Sequence, residues 1–335
     1  MIKGFKGRII ALAGGLFILV SMWFLGKSFV DGVHEAGGIG NLLHFNVPLF
    51  LVASVIMAVH LALAGYTWTL ATGAAGGCLG FKGGFSIHFL SQVGKYVPGK
   101  VWAAMGKFTL SRNSGLSTAQ TGQGLVLETV FIVLGCLITT LPLIPLAAKD
   151  AGLGAGTGMA VAVGLAMLLL VSIHPAIFRR ITGLAAKVMK SRYTLRECSF
   201  PEMLRILSVY IIMFFTLGVA YWLMCLSFGL SIPFFPGAFI YPAAMGIGYL
   251  AIFAPGGLGA RELTTVLLVR LIVPDCEPGL AELTAIVARL WITLGEAIAF
   301  GISFPLYGVT PSSLKKMLSG IGSSDGYPVQ GDKGQ

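Results

Sequence analysis

The sequence predicts an all-α, polytopic membrane protein with six full spans, two opposed re-entrant helical hairpins and an inverted repeat. Two features of its 335 residues predict this class: 56% are hydrophobic, and only 11% are charged. Soluble domains carry charge on roughly a quarter of their residues. A third feature predicts the hairpins, because two motifs rich in glycine and proline interrupt otherwise apolar stretches.

Six apolar stretches reach the roughly 20 residues that a helix needs to cross a bilayer. They are residues 8–30, 47–71, 121–147, 155–174, 206–228 and 280–307. The first stretch follows three basic residues, but its apolar part is longer than that of a usual signal peptide and no clear cleavage site follows it. We therefore expect an uncleaved anchor there.

The charges of the connecting loops predict the orientation of the spans. Basic residues cluster at the N-terminus, in the loop 175–205 and after the last span, whereas acidic residues such as Asp31 and Asp275 mark the loops between them. Because basic loops stay in the cytoplasm, both termini are predicted to be cytoplasmic in a bacterial-type inner (plasma) membrane. The net charge of +10 is then a topology signal rather than a sign of nucleic-acid binding.

The two interrupting motifs read GKYVPGK at 94–100 and APGGLGARE at 254–262. Proline removes a backbone donor, and hydrocarbon cannot satisfy the groups that a broken helix leaves free. The loop orientations require stretches 83–108 and 233–272 each to enter and leave on one side. We therefore predict two re-entrant hairpins pointing at each other from opposite sides; eight ordinary spans, two of them short, remain the alternative.

The order of elements around each hairpin predicts the domain organisation. A span, a hairpin and a span follow one another at about 47–147 and again, inverted, at about 206–309. This arrangement is typical of transporters whose site lies near the midplane. We expect one transmembrane domain, 1–309, with the basic cytoplasmic loop 175–205 between its halves, and a flexible cytoplasmic tail, 310–335.

Charged residues inside the predicted membrane region are the candidate site residues, since each is costly there unless paired, hydrated or bound to a ligand. Those predicted to hold a lipid phosphate are Lys95, Lys100, Arg261 and Arg289. Those predicted to orient these bases or to meet a cationic headgroup are Glu128, Glu262 and Glu296. The predicted hinge residues at the hairpin tips are Pro98, Gly99, Pro255, Gly256, Gly257 and Gly259. The alternative is that these charges have a structural role only and neutralise one another in buried ion pairs.

Metal and cofactor chemistry finds no candidates in the sequence. All five aspartates lie in predicted loops or tails, the histidines lack the spacing of a metal motif, and the cysteines lack C-x-x-C spacing. We predict no cofactor and no metal, and we expect His60 and His88 to be buried hydrogen-bonding residues.

The motifs also carry a resemblance. QVGKYVPGKVW at 92–102 with Arg112 and Glu128, and PGGLGARE at 255–262 with Arg289, resemble the lysylphosphatidylglycerol synthase transmembrane-region family. Bifunctional members of that family carry a soluble aminoacyl-transferase domain after a flippase region. Only a short tail follows here, so the resemblance implies lipid translocation without the synthase chemistry. Relatives often have arginine after the glutamate, but Thr129 follows Glu128 here, which leaves the partner of Glu128 open.

The sequence therefore favours a flippase for a phospholipid or aminoacyl-phospholipid, and not an enzyme. A carrier of polyprenyl phosphate, its sugar conjugates or a hopanoid would use the same site. Two alternatives belong to other functional classes. The protein could be a membrane-embedded lipid-modifying transferase, with Glu128 or Glu296 as its general base. It could also be a partner subunit that binds a glycosyltransferase or lipid-synthesis enzyme through the basic loop. Assembly as a homo-oligomer is a further expectation.

Overall fold

The structure is a computed structural model that describes residues 45–96, 101–177, 196–251 and 254–308, with single residues between 23 and 38 and at 180. Most of the predicted first span lies outside the described residues. So do Pro98, Gly99 and Lys100, most of the basic loop 175–205 and the tail 310–335. The regular structure in the described ranges is entirely helical.

Ten α-helices follow one another in the described ranges. Their bounds are α1 Val47–Ala74, α2 Phe81–Gln92, α3 Val101–Asn113, α4 Thr118–Thr140, α5 Ile144–Asp150, α6 Ala155–Ser172, α7 Phe200–Ser227, α8 Phe234–Leu250, α9 Ala260–Ile272 and α10 Leu280–Leu306. Short 3₁₀ turns lie at Val93–Tyr96, Leu141–Leu143 and Pro255–Gly257. Helices α1, α6, α7 and α10, and the stretch Thr118–Asp150, are long and apolar enough to cross a membrane. These five confirm five of the six predicted spans by length and composition.

Local sequence explains where the long helices begin and break. Asn46 accepts a hydrogen bond from the amide of Leu49 at the start of α1. Ser117 with Gln120 and Ser199 with Glu202 form capping boxes at the starts of α4 and α7. Prolines within the predicted third span separate α4 from α5 through a 3₁₀ turn.

Three helices beside the interrupting motifs are too short to cross a bilayer alone. Helices α2, α3 and α9 have 12, 13 and 13 residues. At ~1.5 Å per residue they extend ~18–20 Å, against a hydrocarbon core of roughly 30 Å. Helices α2 and α3 pack against each other, as do α8 and α9, so each pair forms a helical hairpin. The turns Val93–Tyr96 and Pro255–Gly257 lie between the two helices of each pair in the sequence.

The packing of the first half is repeated in the second. If α1, α2, α3 and α4 are matched with α7, α8, α9 and α10, the contact of α4 with α8 corresponds to that of α10 with α2. Likewise, α4 packs on α7 as α10 packs on α1, and α1 and α7 pack on each other at the centre. The last helix of each half therefore covers the hairpin of the other half.

The outer surface carries large apolar side chains, as a protein surrounded by lipid requires. Val55, Leu168, Leu267 and Leu290 are each more than 60% exposed, and they lie on four different helices. The buried core lies instead where α1, α4, α7, α8 and α10 meet.

Candidate functional site

The tip of the second hairpin is a turn that only glycine adopts easily. Gly256, Gly257 and Gly259 have φ angles of 61°, 69° and 81°, in the left-handed region that side chains with a Cβ avoid. Helix α9 begins immediately afterwards at Ala260. This turn reverses the chain and places Arg261 and Glu262 in the first turn of α9.

The tips of the two hairpins meet. The 3₁₀ turn Val93–Tyr96 of the first hairpin contacts the turn Pro255–Gly257 of the second. Lys95 of the first tip reaches α10, where its Nζ lies 2.6 Å from both carboxylate oxygens of Glu296. The side chains of Lys95 and Glu296 are 18% and 21% exposed, so this pair is largely shielded.

A second ion pair ties the second tip to the same helix. Arg289 Nη2 donates a hydrogen bond of 3.3 Å to the carbonyl oxygen of Gly256, and Arg289 Nε lies 3.4 Å from Glu262 Oε1. The other oxygen of Glu262 accepts from the amide of Gly259 at 2.7 Å. Glu262 thus caps its own helix, so this backbone amide at the start of α9 already has a hydrogen-bond partner.

Arg261 differs from these two cations because no carboxylate among the described residues pairs with it. The residue is only 5% exposed. Its Nε is buried with no hydrogen-bond partner, and the ion pairs among the described residues do not include it. Its neighbours are two glycines and a ring: Cζ lies 5.4 Å from the ring centroid of Tyr249, and a Cβ on Gly248 would come within 2.4 Å of Arg261 Nε.

The junction of the tips therefore has an excess of positive charge. Among the residues of the junction that the structure describes, Lys95, Arg261 and Arg289 are three cations and Glu262 and Glu296 are two carboxylates, which leaves a charge of +1. A buried charge without a partner is strongly disfavoured. A protein keeps such a charge at an intramembrane position chiefly where a ligand or a polar cavity meets it.

A separate buried cluster lies in the first half. Lys107 of α3 pairs with Glu128 Oε1 of α4, and Lys107 Nζ also lies 4.2 Å from the ring centroid of Trp68. The same oxygen of Glu128 is 3.4 Å from His88 Nδ1. Lys107 and Glu128 are 4% and 6% exposed, so both charges are buried. This cluster supplies the partner of Glu128 that the sequence left open.

The structure thus brings together five of the predicted site residues: Lys95, Arg261, Glu262, Arg289 and Glu296. Lys100 lies outside the described residues. The ion partners of Glu128 come from the Lys107 cluster rather than from the tips. His60 is buried, and its Nδ1 donates a hydrogen bond of 2.8 Å to the carbonyl oxygen of Met213 in α7.

Sequence reasoning missed three residues of these clusters. Lys107 is not among the predicted site residues, although its position inside the predicted hairpin stretch 83–108 was a signal that it would be buried. Gly248 and Tyr249 come just before the second interruption, and no pattern marked them. Their role depends on how α8 crosses the start of α9, which is a matter of tertiary packing.

Comparison with known families shows to which family the chain belongs. The sequence profile of the family described as the lysylphosphatidylglycerol synthase TM region matches residues 10–298. The chain belongs to this family. A search of curated proteins finds no match.

Membership confirms the resemblance that the two motifs carry, because the match includes both of them. Together with the apolar helices, it identifies a multi-pass membrane protein of the lipid-flippase type. The match ends before the tail, and it adds nothing on which lipid the protein handles.

Proposed function

We propose that this protein moves a phosphate-headed lipid between the leaflets of the cell inner membrane, with the lipid phosphate held at the junction of the two hairpin tips. In this proposal the hairpins are re-entrant and enter from opposite faces. Lys95, Arg261 and Arg289 provide the positive charge, and Lys100 adds to it from the rest of the first motif.

The single observation that carries the proposal is the buried, unpaired guanidinium of Arg261. Its planar donors suit a phosphate, which can accept two parallel hydrogen bonds from it. A bound phosphate would also neutralise the excess charge of the junction. A purely structural cluster would be expected to balance its charges among its own side chains.

The paired cations suggest how a phosphate could enter and leave. Lys95 is held by Glu296, and Arg289 by Glu262 and the Gly256 carbonyl. A phosphate reaching the junction competes with these carboxylates, so a cation can change partner without being left unpaired. The left-handed glycines of the second tip permit the backbone adjustment that such an exchange needs.

A lipid is favoured over a water-soluble anion by the surroundings of the junction. The family is of the lipid-flippase type. The neighbouring helices also present apolar side chains outward, including Leu267 of α9 and Leu290 and Leu294 of α10. A ligand that approaches sideways between these helices meets hydrocarbon-like surface first.

The test is lipid movement in liposomes that contain purified protein and a trace of fluorescent phosphatidylglycerol, measured by bleaching the outer leaflet with dithionite. We expect the wild-type protein to expose inner-leaflet lipid much faster than empty liposomes do. Arg261→Ala should reduce the rate to that of empty liposomes, because the unpaired guanidinium is lost. Arg261→Lys should retain part of the activity, since the charge stays but the two-pronged contact is lost.

Arg205→Ala is the matched control, because Arg205 is an exposed arginine of α7 that belongs to neither motif. It should move lipid at the wild-type rate. Size-exclusion profiles and melting temperatures of all variants would separate loss of transport from loss of fold. Wild-type protein that moved neither this lipid nor a fluorescent polyprenyl phosphate faster than empty liposomes would rule out intrinsic flipping. An Arg261→Ala variant as fast as wild type would rule out the role of Arg261.

A further inference from the structure

A cavity of about 360 Å³ lies near Arg261 and is lined by residues of α4, α5, α8 and α9. Its wall includes Val133 and Leu137 of α4, Ala243 and Tyr249 of α8, and Thr264 and Leu268 of α9. Tyr249 belongs to both places, because its ring also faces the Arg261 guanidinium. Arg261 itself does not line the cavity, so the Tyr249 ring is the contact that links the cavity to the charged junction.

Helix α9 runs from the charged junction to the cavity. Arg261, Thr264 and Leu268 are spaced by three and seven residues, so they share one face of α9. At ~1.5 Å per residue, Leu268 lies roughly 10 Å along the helix from Arg261. A molecule with its charged end at Arg261 can thus extend along α9 into the cavity.

The lining suits hydrocarbon and not a polar headgroup. The hydroxyls of its two threonines already donate to their own helices: Thr264 Oγ1 to the Ala260 oxygen at 2.7 Å, and Thr140 Oγ1 to the Leu137 oxygen at 2.7 Å. Cys136 Sγ donates to the carbonyl oxygen of Pro242. The remaining lining is aliphatic apart from the Tyr249 ring and a glycine.

The volume of the cavity is large enough for part of one lipid hydrocarbon chain. A methylene group is close in size to a water molecule, which occupies about 30 Å³ in the liquid, so the cavity holds on the order of a dozen such groups. Two full acyl chains do not fit. Leu137, Ala147 and Leu250 on its rim are exposed, so a chain can enter sideways and a second chain can stay in the bilayer.

We propose that this cavity holds part of one hydrocarbon chain of the lipid whose phosphate lies at Arg261. The inference rests on the proposed function and makes it more specific: the substrate is recognised at its phosphate and at one chain together. A free phosphate or a short glycerol phosphate would occupy only the charged end.

The test compares two ligands and two sites. Thermal stabilisation of detergent-solubilised protein would be measured with dioleoyl phosphatidic acid and with sn-glycerol 3-phosphate, which has the same head and no chains. Ala243→Phe fills the cavity without touching the junction. We expect it to weaken binding of phosphatidic acid by about tenfold or more, equivalent to ~1.4 kcal/mol, and to leave glycerol 3-phosphate binding unchanged.

Two further variants complete the comparison. Val161→Phe places the same ring on an exposed apolar position of α6, and it should leave both ligands unaffected. Arg261→Ala should weaken both. If Ala243→Phe bound phosphatidic acid as wild type does, the chain site would be wrong while the phosphate site stood. If wild-type protein responded to neither ligand, the phosphate site and the chain site would both be wrong.

A second measurement needs no variant and so covers the case in which Ala243→Phe fails to fold. Phosphatidic acid with a photoreactive diazirine in mid-chain would be cross-linked to wild-type protein and mapped by mass spectrometry. We expect labels on Val133 and Leu137 of the cavity. Labels confined to outward residues such as Leu290 and Leu294 of α10 would overturn the proposal.

Discussion

Arg261 and Lys95 lie at the same junction but differ in what holds them. Lys95 contacts both oxygens of one carboxylate, whereas Arg261 packs between glycines and faces a tyrosine ring. Both are prominent in the sequence because they lie beside helix breakers. Only the folded arrangement distinguishes a cation with a carboxylate partner from one whose Nε is buried without a hydrogen-bond partner.

Lys107 and Glu128 form a buried pair whose role is expected to be structural. Lys107→Met should lower the free energy of unfolding by roughly 3–5 kcal/mol, because it leaves the Glu128 carboxylate buried without its cation. The double variant Lys107→Met with Glu128→Gln should lose less than the sum of the single variants, since neither charge is then left alone. Equilibrium unfolding in mixed micelles measures all three.

Lys82→Met is the matched control for that cycle, because Lys82 is an exposed lysine of α2. Its effect should stay within about 0.5 kcal/mol. If the losses of unfolding free energy in the two single variants simply add up in the double variant, the charges of Lys107 and Glu128 do not depend on each other. That result would contradict the contact between them.

At the scale of helices, length and composition predicted the spans because both are local properties. Five apolar helices lie where the sequence places them, and α7 begins six residues before the predicted start at Ile206 because Ser199 and Glu202 cap it. The third predicted span is interrupted by a 3₁₀ turn at Leu141–Leu143, beside prolines that the hydropathy pattern did not weigh. The partners of the buried charges were not predictable in this way, since they come from helices far apart in sequence.

Helix α8 depends on a glycine where it crosses the start of α9. A Cβ on Gly248 would lie 2.4 Å from Arg261 Nε and 2.5 Å from its Cγ, so Gly248→Ala should push the Arg261 side chain out of its place. We expect lipid movement to fall close to the level of Arg261→Ala while the fold is retained, because the end of a flexible side chain can shift. The liposome assay and a melting curve measure the two effects.

Gly164→Ala is the control at this scale. Gly164 lies inside α6, and a Cβ there would meet nothing within 4 Å. This variant should keep wild-type transport, with equal or slightly higher stability, since alanine favours a helix more than glycine does. Wild-type transport by Gly248→Ala would show that the position of Arg261 against α8 does not matter.

At the scale of the whole molecule, each half completes the other. Helix α10 of the second half covers the first hairpin and carries both Glu296, the partner of Lys95, and Arg289, the partner of the second tip. The order of long apolar helices and shorter ones was predictable from hydropathy. The packing of the last helix of each half on the hairpin of the other half was not predictable, because the sequence does not show which helices lie side by side. The opposed entry of the hairpins, the cytoplasmic termini and any homo-oligomer or partner enzyme stay predictions.

The most direct test of the phosphate site is an experimental structure of the wild-type protein in lipid nanodiscs made with phosphatidylglycerol. It would show the position of a lipid phosphate and the faces from which the hairpins enter. We predict lipid phosphate density within hydrogen-bond distance of the Arg261 guanidinium, at the junction of the two tips, with the hairpins entering from opposite sides. An Arg261 paired with a carboxylate of the protein, with lipid bound only to the outer faces of the helices, would contradict the central claim.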